Sequence, residues 1–328
     1  MKVILMKDFG SADHLYIGEA KTPAVNPGEV LVKVKATALN RADLQQRRGM
    51  YPPIPGESNI LGLEMSGEVV ELGAGVSSHS IGDRVCSLLP GGGYAQYVSV
   101  PEGLLIKIPD TMTFEQAAAF PETFLTSYQS LFSLGQLRKG QIVLVHAGAS
   151  GIGSAALQLI KLAGATALIT AGSDRKIEYC VQLGAKAGWN YKKGPFLPFI
   201  NEYTNGNGVN IILDCIGAPY FAQNIQSLVP DGKLVIIGSL GEKIVNQLDL
   251  GTLLLKRFQL LRTTLRSRPL NRKIELTKEL LEFLGDHFAN GRVVPIIDTI
   301  FDWKEVREAH QYMEANKNKG KIVLRVTE

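Results

Sequence analysis

From Gln141 onward the chain keeps one alternation, a short apolar run rich in β-branched residues followed by about 10–15 residues of helical pattern. The runs are "IVLVHA" (142–147), "ALITA" (167–171), "NIILDCI" (210–216), "KLVIIG" (233–238) and "QLLRTTL" (259–265). Helical patterns cover 151–162, 174–183, 220–228 and 250–256. A strand that is apolar at every position has no wet face. It belongs in a sheet covered on both sides, and alternation with helices makes that sheet parallel and doubly wound, an α/β architecture.

Before residue 120 the rhythm is different. Short strands at 3–6, 30–38, 64–72 and 94–100 are separated by Gly and Pro, which predicts a compact β-rich domain. A helix is predicted at 113–120, where Thr113 and Gln116 have capping-box spacing, and an apolar helix from about 123 to 134. After Arg266 the pattern gives a long helix near 273–288, strands around 293–297, a helix at 304–316 and a last strand, "KIVLRV". The tail is expected to return to the first domain, so that 1–123 and 265–328 form one discontinuous domain and 124–264 the other.

A length of 328 residues suits two domains. Charge is nearly balanced, 35 Lys and Arg against 31 Asp and Glu, and the basic residues are scattered except at 262–272. That argues against a dedicated nucleic-acid or polybasic membrane surface. The 262–272 cluster reads as a solvated surface or dimer rim, with recognition of an acidic group as the alternative. Cys86, Cys180 and Cys215 lie too far apart for a disulfide framework or a metal knuckle and suit a reducing compartment. The N-terminal apolar run is short and soon meets an acidic residue, so it reads as a strand rather than a signal peptide. No window approaches the ~18 apolar residues that span a bilayer. A soluble, cytoplasmic protein is expected.

"HAGASGIG" (146–153) lies between the first apolar run and the first helix, with Ser150 where the dinucleotide fingerprint G-x-G-x-x-G has its second glycine. A strand–turn–helix context aims the first helical amides at a pyrophosphate, and the helix dipole favours the anion. Gly148, Gly151, Ile152 and Gly153 supply backbone to such a site, Gly153 packs helix on strand, and Ser150 has a hydroxyl to donate. The alternative is a tight turn without a ligand.

The next strand end separates the coenzymes. An NAD site places Asp or Glu about 20 residues beyond the loop, on the ribose. Here Ala171, Gly172 and Ser173 stand there, then Asp174, Arg175 and Lys176. Without a carboxylate at the strand tip, Ser173, Arg175 and Lys176 are placed to bind a 2′-phosphate by charge-assisted hydrogen bonds, which favours NADPH over NADH. Asp174 opposes this unless it serves the helix dipole. Arg175 and Lys176 are alternatively a solvated face. His146, Asp214 and Cys215 read as core or strand-end residues.

Ten segments in order carry a family resemblance: "ALNRADLQQRRGMYPPIPG", "LGLEMSGEVVELGAGV", "GDRV", "PGGGYAQYVSVPEG", "AAAFPETFLTSYQSL", "VLVHAGASGIG", "ITAGSDRK", "NYKK", "LDCIG" and "ANKNKGKIVL". Over essentially its whole length the chain resembles the medium-chain dehydrogenase/reductase superfamily, in its zinc-independent quinone oxidoreductase branch, to which zeta-crystallin is related. The resemblance implies a GroES-like catalytic domain built from both chain ends, a Rossmann domain, and NADPH in the cleft between them. In this branch a serine accompanies the two later glycines, so Ser150 belongs to a variant loop. Zinc-dependent relatives have ligands at positions that here hold Asn40, Leu63 and Glu122, and Leu63 cannot bind a metal. The cysteine-rich structural-zinc lobe is absent as well, and no metal is expected.

The resemblance also places Asn40 and Asp43 at the nicotinamide and acceptor cleft, with Asn40 orienting the carboxamide or a substrate carbonyl. Tyr51 would donate to a developing oxyanion or supply a proton, or else simply pack on the stiff "YPPIP" loop. Thr126 and Tyr128 would approach the nicotinamide, Tyr191 the adenosine phosphate, and Ile237, Gly238 and Ser239 the cofactor from a strand end. Asn316 and Lys321 would add further contacts. Without a Lewis acid the fitting chemistry is hydride delivery from NADPH to an electron-poor acceptor, a quinone (ortho-quinones included) or an activated alkene. A homodimeric NADPH:quinone oxidoreductase is expected. The alternatives are an NADPH-dependent alkenal or enone reductase, and a non-catalytic NADPH-binding protein with a structural or RNA-associated role.

Overall fold

The computed structural model describes every residue except Gln247, Asp249 and Glu328. The chain divides into two compact units, 1–125 with 265–328, and 126–264.

The second unit is a six-stranded sheet whose strands run, in spatial order, Ala187–Asn190, Thr166–Ala171, Ile142–Val145, Val209–Asp214, Leu228–Ile236 and Gln259–Arg262. Every pairing is parallel. The strand Ile142–Val145 enters first and its two neighbours diverge from it, so its C-terminal end is the switch point at which open α/β sheets bind ligands. The central strands are mainly apolar because helices Gly151–Leu162, Asp174–Gln182, Leu197–Tyr203, Ala218–Ser227 and Leu250–Lys256 connect the strands, and Leu144, Leu168, Ile212 and Leu234 are fully buried.

The first unit is built on a seven-stranded sheet in the order Ile297–Asp302, Lys321–Arg325, Glu29–Ala38, Glu64–Leu72, Arg84–Leu88 and Ile106–Lys107, with Tyr97–Pro101 also on Glu29–Ala38. The last strand pairs antiparallel with the first half of the chain, Val323 opposite Ala38. Inward residues Val30, Val32, Val34, Met65, Val85 and Val100 form one core cluster.

Four expectations differ in detail. The run 94–100 pairs as a strand only at Tyr97–Pro101, and Tyr94 is instead buried in a second core cluster with Trp303 and Ile322. The long helix is two, Leu270–Leu284 and Asp286–Ala289, because Gly285 takes φ +47° between them. The strand expected at 293–297 begins only at Ile297, since Pro295 has no N–H for a ladder. The helix expected at 123–134 is Pro121–Tyr128 continued by a wider π turn, Gln129–Leu134.

Candidate functional site

Strand Ile142–Val145 ends in the glycine-rich turn, and helix Gly151–Leu162 starts from Ser150. Ser150 is the N-cap: its Oγ accepts the Gly153 amide at 3.0 Å. Gly151 and Ile152 begin the helix and are only partly buried, and helix geometry gives their amides no intrahelical acceptor. A Cβ on Gly153 would stand 2.4 Å from the Gly148 carbonyl oxygen and 2.6 Å from that of Ala147. Gly153 therefore fits the turn against its own carbonyls, where close packing on the strand was expected. The bare backbone, the two open amides and the dipole together suit a pyrophosphate.

Beneath the turn, His146 is buried, with Nδ1 2.9 Å from Thr170 Oγ1 and Nε2 2.7 Å from Asn224 Oδ1. Asn224 Nδ2 donates to Asp214, whose carboxylate also accepts the Ile216 and Gly217 amides. Because Asn224 spends its N–H on Asp214, its oxygen must accept, and His146 is the neutral Nε2–H tautomer. Burial lowers its pKa. These are structural roles, as is that of Cys215, whose Sγ lies 4.0 Å from the His146 carbonyl.

At the next strand end Ser173 caps helix Asp174–Gln182, its Oγ accepting the Lys176 amide at 3.3 Å. Asp174 heads that helix, and its carboxylate is matched by Lys193 Nζ at 2.8 Å and Asn190 Nδ2 at 3.2 Å, which hold its pKa below the usual range. The acid at the strand tip thus has its own cation, which the sequence did not reveal. A Cβ on Gly172 would lie 2.6 Å from the Tyr191 hydroxyl, so the glycine lets Tyr191 close on this strand end. Gly172, Ser173, Lys176 and Tyr191 gather around one corner of the sheet.

Thr126 and Tyr128 sit at the end of helix Pro121–Tyr128, and between them Ser127 Oγ donates to the Ile152 carbonyl at 3.1 Å, tying that end to the glycine turn. Ile237, Gly238 and Ser239 follow strand Leu228–Ile236, with the Ile237 amide on the Asp214 carbonyl at 2.8 Å.

In the first unit, Asn40 precedes helix Arg41–Arg47. Its Nδ2 donates to Glu64 Oε1 at 2.9 Å and the Ala38 carbonyl at 3.3 Å, and its Oδ1 accepts from Lys321 Nζ at 2.6 Å. Both side-chain N–H groups are spent, so Asn40 has nothing left to donate to a substrate carbonyl. Lys321 is itself consumed by Leu39 O, Asn40 and Glu64 at 2.6–2.7 Å, which corrects its expected cofactor contact. Glu64, fully buried and absent from the sequence reading, organises the cluster and also accepts the Glu122 amide. Asp43 is fully buried, and its oxygens accept the Asn40 and Gly62 amides at 2.7 and 3.1 Å. Burial raises its pKa to about 6 despite those bonds. Asp43 therefore fixes the loop under Asn40 where a catalytic group was expected.

Asn316, expected to touch the cofactor, takes the left-handed conformation (φ +54°) just after helix Val306–Glu314, a backbone reason for asparagine, and accepts from Arg41. Tyr51 is part-buried, and the Arg266 guanidinium carbon lies 5.1 Å from its ring centroid. Burial and then the Glu122 charge push the phenol pKa up, and Arg266 pulls it down. The basic run 262–272 is not uniformly a surface, since Arg266 is only 4 % exposed. Among the described residues no three His, Cys, Asp or Glu side chains are placed to hold a metal ion, and no helix is long and apolar enough to cross a membrane.

Residues 26–110 match the family model described as alcohol dehydrogenase GroES-like domain, and residues 183–324 the one described as zinc-binding dehydrogenase. The chain is 31 % identical to the synaptic vesicle membrane protein VAT-1 homolog of Rattus norvegicus over 339 aligned residues, 99 % of this chain and 84 % of that protein. A mycobacterial protein solved in complex with NADPH has a similar fold, with a TM-score of 0.89 and 29 % identity over 99 % of this chain and 100 % of that one. A Pseudomonas syringae quinone oxidoreductase gives a TM-score of 0.88 and 29 % identity, with 99 % of each chain covered.

Proposed function

Because the chain belongs to the medium-chain dehydrogenase/reductase superfamily, in its quinone oxidoreductase branch, we propose that it is an NADPH-dependent quinone reductase that works without zinc. The observation that carries the coenzyme choice is the corner formed by Gly172, Ser173, Lys176 and Tyr191, where the Asp174 carboxylate is already paired with Lys193. A 2′-phosphate meets cations and a hydroxyl there, while a ribose diol finds no free acid. The Gly151 and Ile152 amides hold the pyrophosphate, and Ser150, with its oxygen capping the helix, still has its hydroxyl proton to give.

Bound NADPH supplies the hydride. Thr126, Tyr128, Ile237, Gly238 and Ser239 line its path, and Asn40, an acceptor only, takes an N–H of the carboxamide. Of the two tasks expected for Asn40, this is the one that needs no donor from it. Tyr51 faces the acceptor and donates its phenolic hydrogen; its raised pKa keeps the phenol protonated at neutral pH. Zinc independence is supported by Leu63, which puts no donor atom where relatives have a ligand. The protein acts as a cytoplasmic homodimer: Leu254 and Leu255 are 77 % and 80 % exposed beside the sheet-edge strand Gln259–Arg262, an apolar edge that a second copy would cover. Turnover of a panel of quinones and enones with NADPH and NADH side by side tests the assignment.

A further inference from the structure

Arg266 and Tyr51 are 215 positions apart, yet they meet in the first unit, and the arginine is incompletely satisfied. Its Nε donates to the Pro90 carbonyl at 2.7 Å and its Nη1 reaches the Pro52 carbonyl at 3.5 Å. Its Nη2 is buried and has no hydrogen-bond partner. Lys273, likewise buried, directs its ammonium to the Arg266 carbonyl at 3.5 Å. The carboxylates that act on this neighbourhood, Glu57 and Glu122, do so through space on Lys273, and Glu122 also on Tyr51. An enclosed guanidinium with an unmet N–H carries a desolvation cost unless something supplies an oxygen.

The geometry says which kind of oxygen. A carboxylate or phosphate grips arginine with two parallel bonds from adjacent nitrogens. Here Nε and one N–H of Nη1 face proline carbonyls, and Nη2 has no partner. A single carbonyl-type oxygen brought to Nη2 is enough to satisfy it, and the Tyr51 ring lies over the same guanidinium.

We propose that Arg266 is the oxyanion-binding group of the acceptor site, its Nη2 donating to the single acceptor oxygen that becomes negative during reduction. This rests on the quinone-reductase assignment. When a quinone takes up a hydride, with NADPH becoming NADP⁺, one oxygen is left as a phenolate, which a proton from Tyr51, replaced in turn from water, neutralises to give the hydroquinone. A fixed cation in a dry site is worth most at that oxygen and little to the neutral quinone, so Arg266 acts on the barrier more than on binding. Tyr51 then shares the oxygen or closes the site over it.

The test compares wild type with Arg266→Met and Arg266→Lys, each first checked for a thermal transition and for NADPH binding. On quinones of graded reduction potential, Arg266→Met should lose about 100-fold or more in kcat/KM, with the larger loss on the less electron-poor quinones. Guanidinium ion in the buffer should restore part of the activity of Arg266→Ala. A loss that is uniform across the quinones and unrelieved by guanidinium makes Arg266 structural and overturns the proposal.

A second readout needs no turnover. With NADP⁺ present, the wild type should lower the apparent pKa of bound 4-nitrophenol, followed by absorbance, and Arg266→Met should not; equal ionisation in both overturns the proposal. If the wild type reduces no quinone yet ionises nitrophenol through Arg266, the quinone assignment fails and the oxyanion site stands. Should Arg266→Met not fold, Arg266→Lys, which keeps the cation but shortens its reach, carries both measurements, with a smaller loss of the same pattern expected and wild-type behaviour in both overturning the proposal.

Discussion

Whether a polar side chain serves a ligand depends on what it has left to give. Asn40 and Lys321 carry suitable groups for a cleft, but Glu64 between them takes the lysine and one asparagine N–H while the Ala38 carbonyl takes the other, so the trio is a support. Removing Glu64 alone would leave a buried cation, the costly way to break such a cluster. In the second unit the coenzyme decision rests on Lys176. Replacing it with Ala should raise the Kd for NADPH about tenfold or more, one charge-assisted bond, while leaving NADH within about twofold. Coenzyme fluorescence titrations check this, and equal weakening of both would remove Lys176 from the phosphate.

Helix Val306–Glu314 shows how an element built for packing also sets a pH response. His310 is fully buried on it, its Nδ1 3.3 Å from Arg47 Nη1 and its Nε2 3.1 Å from the Tyr94 hydroxyl. Arginine only donates, so Nδ1 accepts and Nε2–H donates to Tyr94. Burial and then the Arg47 charge push the His310 pKa down to about 3. The unfolded chain takes up this proton near pH 6.5, so the stabilisation is complete above that pH and is lost as pH falls toward about 3. Asp43, raised to about 6, runs the other way, its contribution being lost as pH rises through that value. In His310→Gln, the urea midpoint should fall less steeply between pH 6.5 and 4 than in wild type; parallel slopes would mean that His310 does not stay neutral.

Elements were legible where local chemistry agreed with packing. Helix Gly151–Leu162 has its cap and its glycines in the sequence, and the Thr113–Gln116 capping box forms as spaced. The strand Ala187–Asn190 was not legible, because a half-exposed edge strand containing Gly, Trp and Asn has no apolar run. Helix 273–288 was read through Gly285 because apolar spacing resumes at Phe288. For the candidate site, Asn40, Ser150, Ser173 and Lys176 are residues that motifs propose. Glu64, Lys193, Ser127 and Arg266 could not, since their partners lie far along the chain or on another element and only folding shows which charges cancel.

At the scale of the whole molecule the parallel sheet ends at Gln259–Arg262, whose outer edge has no partner strand among the described residues, next to exposed Leu254, Leu255 and Leu260. Sedimentation should therefore give the mass of two chains, and Leu254→Glu with Leu255→Glu should give one chain that still binds NADPH; a wild-type monomer would contradict the dimer. The central claim is that a strand tip without a free acid and an acceptor site without zinc make an NADPH-dependent quinone reductase. Its most direct test is kcat/KM for ortho- and para-quinones and for conjugated enones, measured with NADPH and with NADH in metal-free buffer. The account predicts quinone turnover with NADPH preferred by about tenfold or more, the worth of one phosphate-binding cation. Equal use of NADH, turnover of enones alone, or no turnover of any quinone would contradict it.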